Sequence, residues 1–75
     1  KAGATVKPTH QVGQGFTDLV VGYRGVNYLI EVKDGDLPPS KRKLTPDQVK
    51  FHEQWRGLIA VVNNEREALE VIGAL

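Results

Sequence analysis

Cysteine is absent from the 75 residues, which excludes a disulfide framework and any thiolate metal site and makes the cytoplasm the expected compartment. No apolar run approaches the roughly 20 residues of a membrane-spanning helix, and the first residues lack the charged-then-apolar order of a signal peptide. A soluble protein is therefore expected. No repeat or compositional break divides the chain, so residues 1–75 read as one domain near the lower size at which a core suffices without staples. A partner subunit would help so small a core.

Net charge is only +1, but it is unevenly spread: residues 1–44 hold seven Lys/Arg against four Asp/Glu, and residues 45–75 three against five. The cluster Lys41-Arg42-Lys43 could follow a phosphate backbone, and a solvated loop explains it equally well. Lys-Ala-Gly at residues 1–3 has the look of a helix tail ending in a glycine cap, so a helix ahead of the first strand is expected.

Residues 4–12 alternate like an extended strand that Pro8 confines to an edge or bulge. After the breaker Gly-Gln-Gly come two strands, about 17–23 and 26–33, joined through Arg24-Gly25, where glycine can take the positive φ of a tight hairpin. A two-residue turn pairs Tyr23 with Val26, Val21 with Tyr28, Leu19 with Ile30 and Asp18 with Glu31. A three-residue loop would instead set Asp18 against Val32. Residues 34–44 read as a long loop, a candidate lid or nucleic-acid contact.

Thr45 then caps a helix with Pro46 first and Gln48 at capping-box spacing, Leu44 and Val49 being available as a hydrophobic staple. Phe51 and Trp55 share a face suited to the sheet, and Gly57 ends the run. Residues 58–62, Leu-Ile-Ala-Val-Val, are expected to form a fully buried strand. Asn64 caps a last helix with Glu67 at its third position, and Ala68, Val71, Ile72 and Leu75 give its core face. The expected architecture is a mixed sheet flanked by helices, in the order β-β-β-α-β-α.

Alternation puts Asp18, Val20, Leu29, Glu31 and Lys33 on one face of the hairpin. Charges on otherwise apolar strands need a reason. Glu31 and Lys33 stand about 6.6 Å apart along the strand, near enough to address one phosphate. Mg²⁺ or Mn²⁺ held by the two carboxylates, with the Val32 backbone carbonyl as a further ligand, could activate water and neutralise phosphate oxygens, while a lysine orients or deprotonates that water. The plainer reading is a strand-end ion pair, with Asp18 at a wet rim. Neither His10 nor His52 has the spacing of a metal-binding motif, and each reads as a surface or packed histidine.

In order, Gly-Phe-Thr-Asp-Leu at 15–19, twelve residues between Asp18 and Glu31, Glu-Val-Lys at 31–33 and Leu-Thr-Pro-Asp-Gln opening a helix resemble the PD-(D/E)xK nucleases, and among them the viral replication and repair nuclease (VRR-NUC) domain, over residues 3–72. The resemblance implies an α/β restriction-endonuclease-like core and a small stand-alone protein of phage or prophage type, in a bacterial or phage-infected cell. It implies metal binding by Asp18 and Glu31, a lysine, Lys33, serving the attacking water, and Gln48 completing the site, although Gln48 could equally be only a helix cap. Two departures stand out: Thr17 occupies the usual proline position before the aspartate, and the family's leading helix with its acidic residue is not seen.

The implied activity is metal-dependent hydrolysis of branched DNA such as flaps or junctions by a homodimer, with Lys7, Lys41, Arg42, Lys43 and Lys50 as candidate phosphate contacts. The alternatives are a branched-DNA-binding module that cleaves weakly or not at all, and a protein-interaction domain whose acids are strand-end charges.

Overall fold

A computed structural model describes residues 3–9 and 11–74. It is a small mixed α+β domain with four strands and two helices: β1 (Thr5–Pro8), β2 (Leu19–Tyr23), β3 (Val26–Val32), α1 (Pro46–Gln54), β4 (Ile59–Val62) and α2 (Glu65–Ile72), with one 3₁₀ turn at Pro39–Lys41. This is the element order the sequence leads one to expect. The expected leading helix, His10 and Leu75 concern positions outside the described residues. No helix among the described residues is long and apolar enough to cross a membrane.

The sheet order is β1-β2-β3-β4. The first two pairings are antiparallel and β3 pairs with β4 in parallel, as a strand reached through the helical connection α1 requires. Arg24 and Gly25 both have positive φ, 51° and 79°, the geometry of a two-residue turn whose twist matches its strands. The register follows: Tyr23 opposes Val26, Val21 opposes Tyr28 and Leu19 opposes Ile30. β1 is shorter than the expected strand, and Pro8 lies, as expected, on an edge.

Val21, Ile30, Val62 and Ile72 form the buried core, with Leu19, Tyr23, Tyr28, Ala60, Ala68 and Leu69 packed around them. These residues lie on one sheet face and on α2, so the charged residues of the hairpin belong to the opposite face. Burial of the core side chains contributes roughly 1.5–3 kcal/mol for each large aliphatic group. Tyr28 ties the strand to α2 by donating its hydroxyl to the Ile72 carbonyl at 3.4 Å.

Both expected N-caps form, Thr45 for α1 and Asn64 for α2. Thr45 and Gln48 form a reciprocal capping box, and Asn64 Oδ1 accepts from the Glu67 N–H at 2.8 Å. Glu67 does not complete a box with Asn64 but accepts from the Asn63 backbone at 2.7 Å and the Asn63 amide at 3.1 Å. Gly73, at φ 80°, ends α2 in a left-handed cap.

Three burial expectations are corrected. β4 is not fully buried, because it ends the sheet: Val62 is enclosed while Leu58 and Val61 are exposed. Val71 is exposed on α2 and Leu69 takes its place against the core. Trp55 is also exposed, because it caps the C-terminus of α1 and stacks on Phe51 at 5.4 Å instead of being buried on the sheet.

Candidate active site

Four residues that the sequence singles out, Asp18, Glu31, Lys33 and Gln48, converge where the ends of β2 and β3 meet the start of α1. Glu31 sits on the central strand β3 and its side chain is only 2% exposed. The ion pair of the plainer reading is present, but it is enclosed and not a solvated strand-end pair. Lys33 Nζ stands 3.5 Å from Glu31 Oε2 and donates to Gln48 Oε1 at 2.8 Å. Gln48 Nε2 in turn donates to Glu31 Oε2 at 2.9 Å, closing a triangle of acid, amine and amide.

Asp18 precedes β2, where continuing the hairpin register would set it opposite Glu31. Its Oδ2 accepts from the Val32 N–H at 2.9 Å. Two acids therefore share this end of the hairpin. Burial, then the Asp18 charge and a side-chain bond to Asp18, raise the Glu31 pKa to about 7, against a smaller lowering by Lys33. Glu31 Oε1 is buried and has no hydrogen-bond partner. An enclosed oxygen without a donor is costly.

The Glu31 and Asp18 carboxylates bring hard oxygen donors suited to Mg²⁺ or Mn²⁺ in chemistry and charge, and the carbonyl of Val32, whose N–H bonds Asp18, would be the further donor. Among the described residues no three His, Cys, Asp or Glu side chains gather as a metal cluster, so such a site would lean on the carbonyl and on water, as Mg²⁺ sites commonly do.

Gln48 forms the capping box of α1 and bonds Lys33 and Glu31 as well. Its Oε1 accepts from the Thr45 N–H at 2.9 Å as well as from Lys33, and its own N–H donates to Thr45 Oγ1 at 3.2 Å. An amide offers two acceptor lone pairs and two donors, enough for all these bonds.

The sequence reading missed the support of Asp18. Thr9 donates from its hydroxyl to the Thr17 carbonyl at 2.8 Å and from its backbone to the Asp18 carbonyl at 2.7 Å. Thr17, where the resemblance leads one to expect proline, is fully buried. Hydrogen bonds and burial thus fix the backbone before Asp18 without a proline ring. No short-range sequence signal links Thr9 to Thr17, because the link exists only once the chain between them turns back.

His52 lies one turn after Gln48 on α1. Its Nε2 is buried without a partner, and burial, then the Lys33 charge, lower its pKa. It is a packed histidine beside the site. Of the candidate phosphate contacts, Lys7, Lys41, Lys43 and Lys50 are exposed. Arg42 differs, being half-buried with its Nε enclosed and unpartnered.

Comparisons of the chain with protein-family models, with curated proteins and with solved structures give no match.

Proposed function

We infer that this domain is a divalent-metal-dependent endodeoxyribonuclease with a PD-(D/E)xK core of the VRR-NUC kind. The observation that carries the reading is the buried, partnerless Glu31 Oε1 beside Asp18, on a carboxylate whose other oxygen faces Lys33 and Gln48. Without metal, a proton shared with Asp18 is what that oxygen has to bond, in keeping with the raised Glu31 pKa, and a cation between the two ionised acids would take that proton's place.

Asp18, Glu31 and the Val32 carbonyl would hold Mg²⁺ or Mn²⁺, which supplies Lewis acidity at a phosphate oxygen and lowers the pKa of bound water. Lys33 orients the attacking water and neutralises charge that develops on the phosphate. Gln48 fixes Lys33 and Glu31 relative to each other, so that the amine does not collapse fully onto the carboxylate. Lys7, Lys41, Lys43 and Lys50 would neutralise phosphates of the bound strands.

Branched DNA is the proposed substrate, and a homodimer the proposed assembly, since a two-fold pair presents two sites to two strands. The cytoplasm of a bacterial or phage-infected cell is the proposed setting.

The test is cleavage of duplex, flap and four-way-junction DNA with Mg²⁺, Mn²⁺ or EDTA, using wild type, Asp18→Ala and Glu31→Ala. Metal-dependent cleavage lost in both folded variants supports the assignment. Retained cleavage in either removes the site, and junction binding without cleavage moves the protein to the binding-module reading.

A further inference from the structure

An open surface cavity of about 380 Å³ lies against α1 and is lined by the exposed Gln14, Asp47, Lys50 and Gln54 and the half-buried Phe51. Its volume falls in the range of small-ligand pockets, roughly 300–1,000 Å³. The four helical residues are spaced i, i+3, i+4 and i+7 and so share one face, and none of Asp18, Glu31, Lys33 or Gln48 lines it.

The chemistry of the walls selects the ligand. Phe51 supplies a flat ring, held by an edge contact from Phe16 at 5.2 Å and by stacking with Trp55 at 5.4 Å. Gln14 and Gln54 each bring an amide that both donates and accepts. Asp47 and Lys50 oppose each other in charge, so the floor of the pocket carries no net charge and any phosphate belongs at its rim beside Lys50. A flat, neutral group with hydrogen-bonding edges fits such walls.

Gln14 is also held in place at a backbone cost. Gly13, Gln14 and Gly15 have φ of 79°, 55° and 82°, three successive left-handed residues closed by the Phe16 N–H donating to the Gly13 carbonyl at 3.0 Å. Glutamine rarely adopts this conformation. Gly15 is pressed so closely on α1 that a Cβ there would run into the Asp47 carbonyl. The turn therefore fixes the backbone of Gln14 at the edge of the cavity.

We propose that this pocket receives one unpaired nucleobase of a DNA strand, with Phe51 stacking on it, the Gln14 and Gln54 amides bonding its edge and Lys50 beside its backbone phosphate. Base–aromatic stacking tolerates any base, because each has a π-face. The choice of nucleic acid rests on the nuclease reading, and the pocket adds a preference for single-stranded flaps or frayed ends over continuous duplex.

The test measures binding in EDTA to oligothymidylate and to an abasic strand of equal length, which keeps the phosphates and removes the bases. Trp55, the single tryptophan, reports occupancy by fluorescence. Oligothymidylate is expected to bind about tenfold more tightly than the abasic strand. Gln14→Gly, which suits the left-handed backbone, and Gln54→Ala, on an exposed helix end, should each shrink that ratio several-fold while melting as cooperatively as wild type. Equal affinity of wild type for both strands, or an unchanged ratio in both variants, overturns the proposal. Cleavage with Mn²⁺ on the same preparations separates the two readings: base-dependent binding without cleavage removes the nuclease and keeps the pocket, and cleavage without base dependence does the reverse.

Discussion

Gln48 reaches across from the first turn of α1 to donate to Glu31 Oε2 on β3, at 2.9 Å, while its other amide atom accepts from the N-cap backbone of its own helix. The start of the helix and the organisation of the acid are thus one hydrogen-bonded unit. A single side chain couples local folding to the site.

Gln48→Ala should therefore lower both stability and site order. The lost cap and the lost bond to the Lys33 ammonium make a destabilisation of about 1–3 kcal/mol the expected outcome in urea unfolding. Gln48→Glu keeps an acceptor for Thr45 and Lys33 but turns an acceptor toward Glu31, and should raise the Glu31 pKa above about 7. Carboxyl ¹³C NMR titration checks this, and an unchanged Glu31 midpoint would contradict the geometry.

Glu31 sets a pH dependence of unusual sign for an acid. Its folded pKa, about 7, lies above the ordinary 4.5, so the folded chain holds a proton that the unfolded chain has released. Metal-free stability should then fall as pH rises from about 4.5 to about 7 and level off above, by an amount of order 3 kcal/mol from this group. His52, with its lowered pKa, works against this below its ordinary value, since the unfolded chain takes up the proton first. Thermal melting of wild type, Glu31→Gln and His52→Gln across this range separates the two, and Glu31→Gln should be the more stable protein at pH 8.

Divalent metal should reverse that trend. Binding to ionised Glu31 displaces its proton, so Mn²⁺ affinity should rise with pH up to about 7 and proton release should accompany binding at pH 6. Calorimetry in two buffers of different ionisation enthalpy measures this. Affinity independent of pH between 5 and 7 would place the ion elsewhere.

Thr9→Val removes the hydroxyl that holds the Thr17 carbonyl while deleting no ligand. A loss of about 1 kcal/mol in stability is expected, together with several-fold weaker Mn²⁺ binding because Asp18 loses its fixed backbone. Unchanged metal affinity would show that Asp18 is held by its bond to Val32 alone.

Asp18→Asn should lower the Glu31 pKa from about 7, since the second largest cause of its elevation is the Asp18 charge, yet leave it above the ordinary carboxylate range because burial persists. The asparagine can still accept from the Val32 N–H, so the fold should be retained in circular dichroism.

Where structure depends on adjacent residues, it could be read directly. Arg24-Gly25 defined the turn, and the turn defined the register that brings Asp18 toward Glu31. Thr45, Pro46 and Gln48 defined the start of α1 within four positions. The exposure of β4 and of Val71 could not be read, because an apolar strand at the sheet edge and one at its centre have the same composition until strand order is known. Gln14 was invisible for a related reason: Gly-Gln-Gly announces a break but not its handedness, nor the helix it will lie against.

By itself, then, the sequence determined the hairpin, both helix N-caps and, given a two-residue turn, the register that points Asp18 toward Glu31, since each follows from spacing over a few residues. The nearness of Gln48 to them was only what the family resemblance implied. Only the tertiary structure decided that Glu31 is enclosed with one oxygen unpartnered, that Gln48 serves Lys33 and Glu31 as well as its helix, and that Thr9 clamps the approach to Asp18. Burial and long-range hydrogen bonds depend on which elements cover which face, and that is a property of the assembled sheet and helices, not of any segment alone.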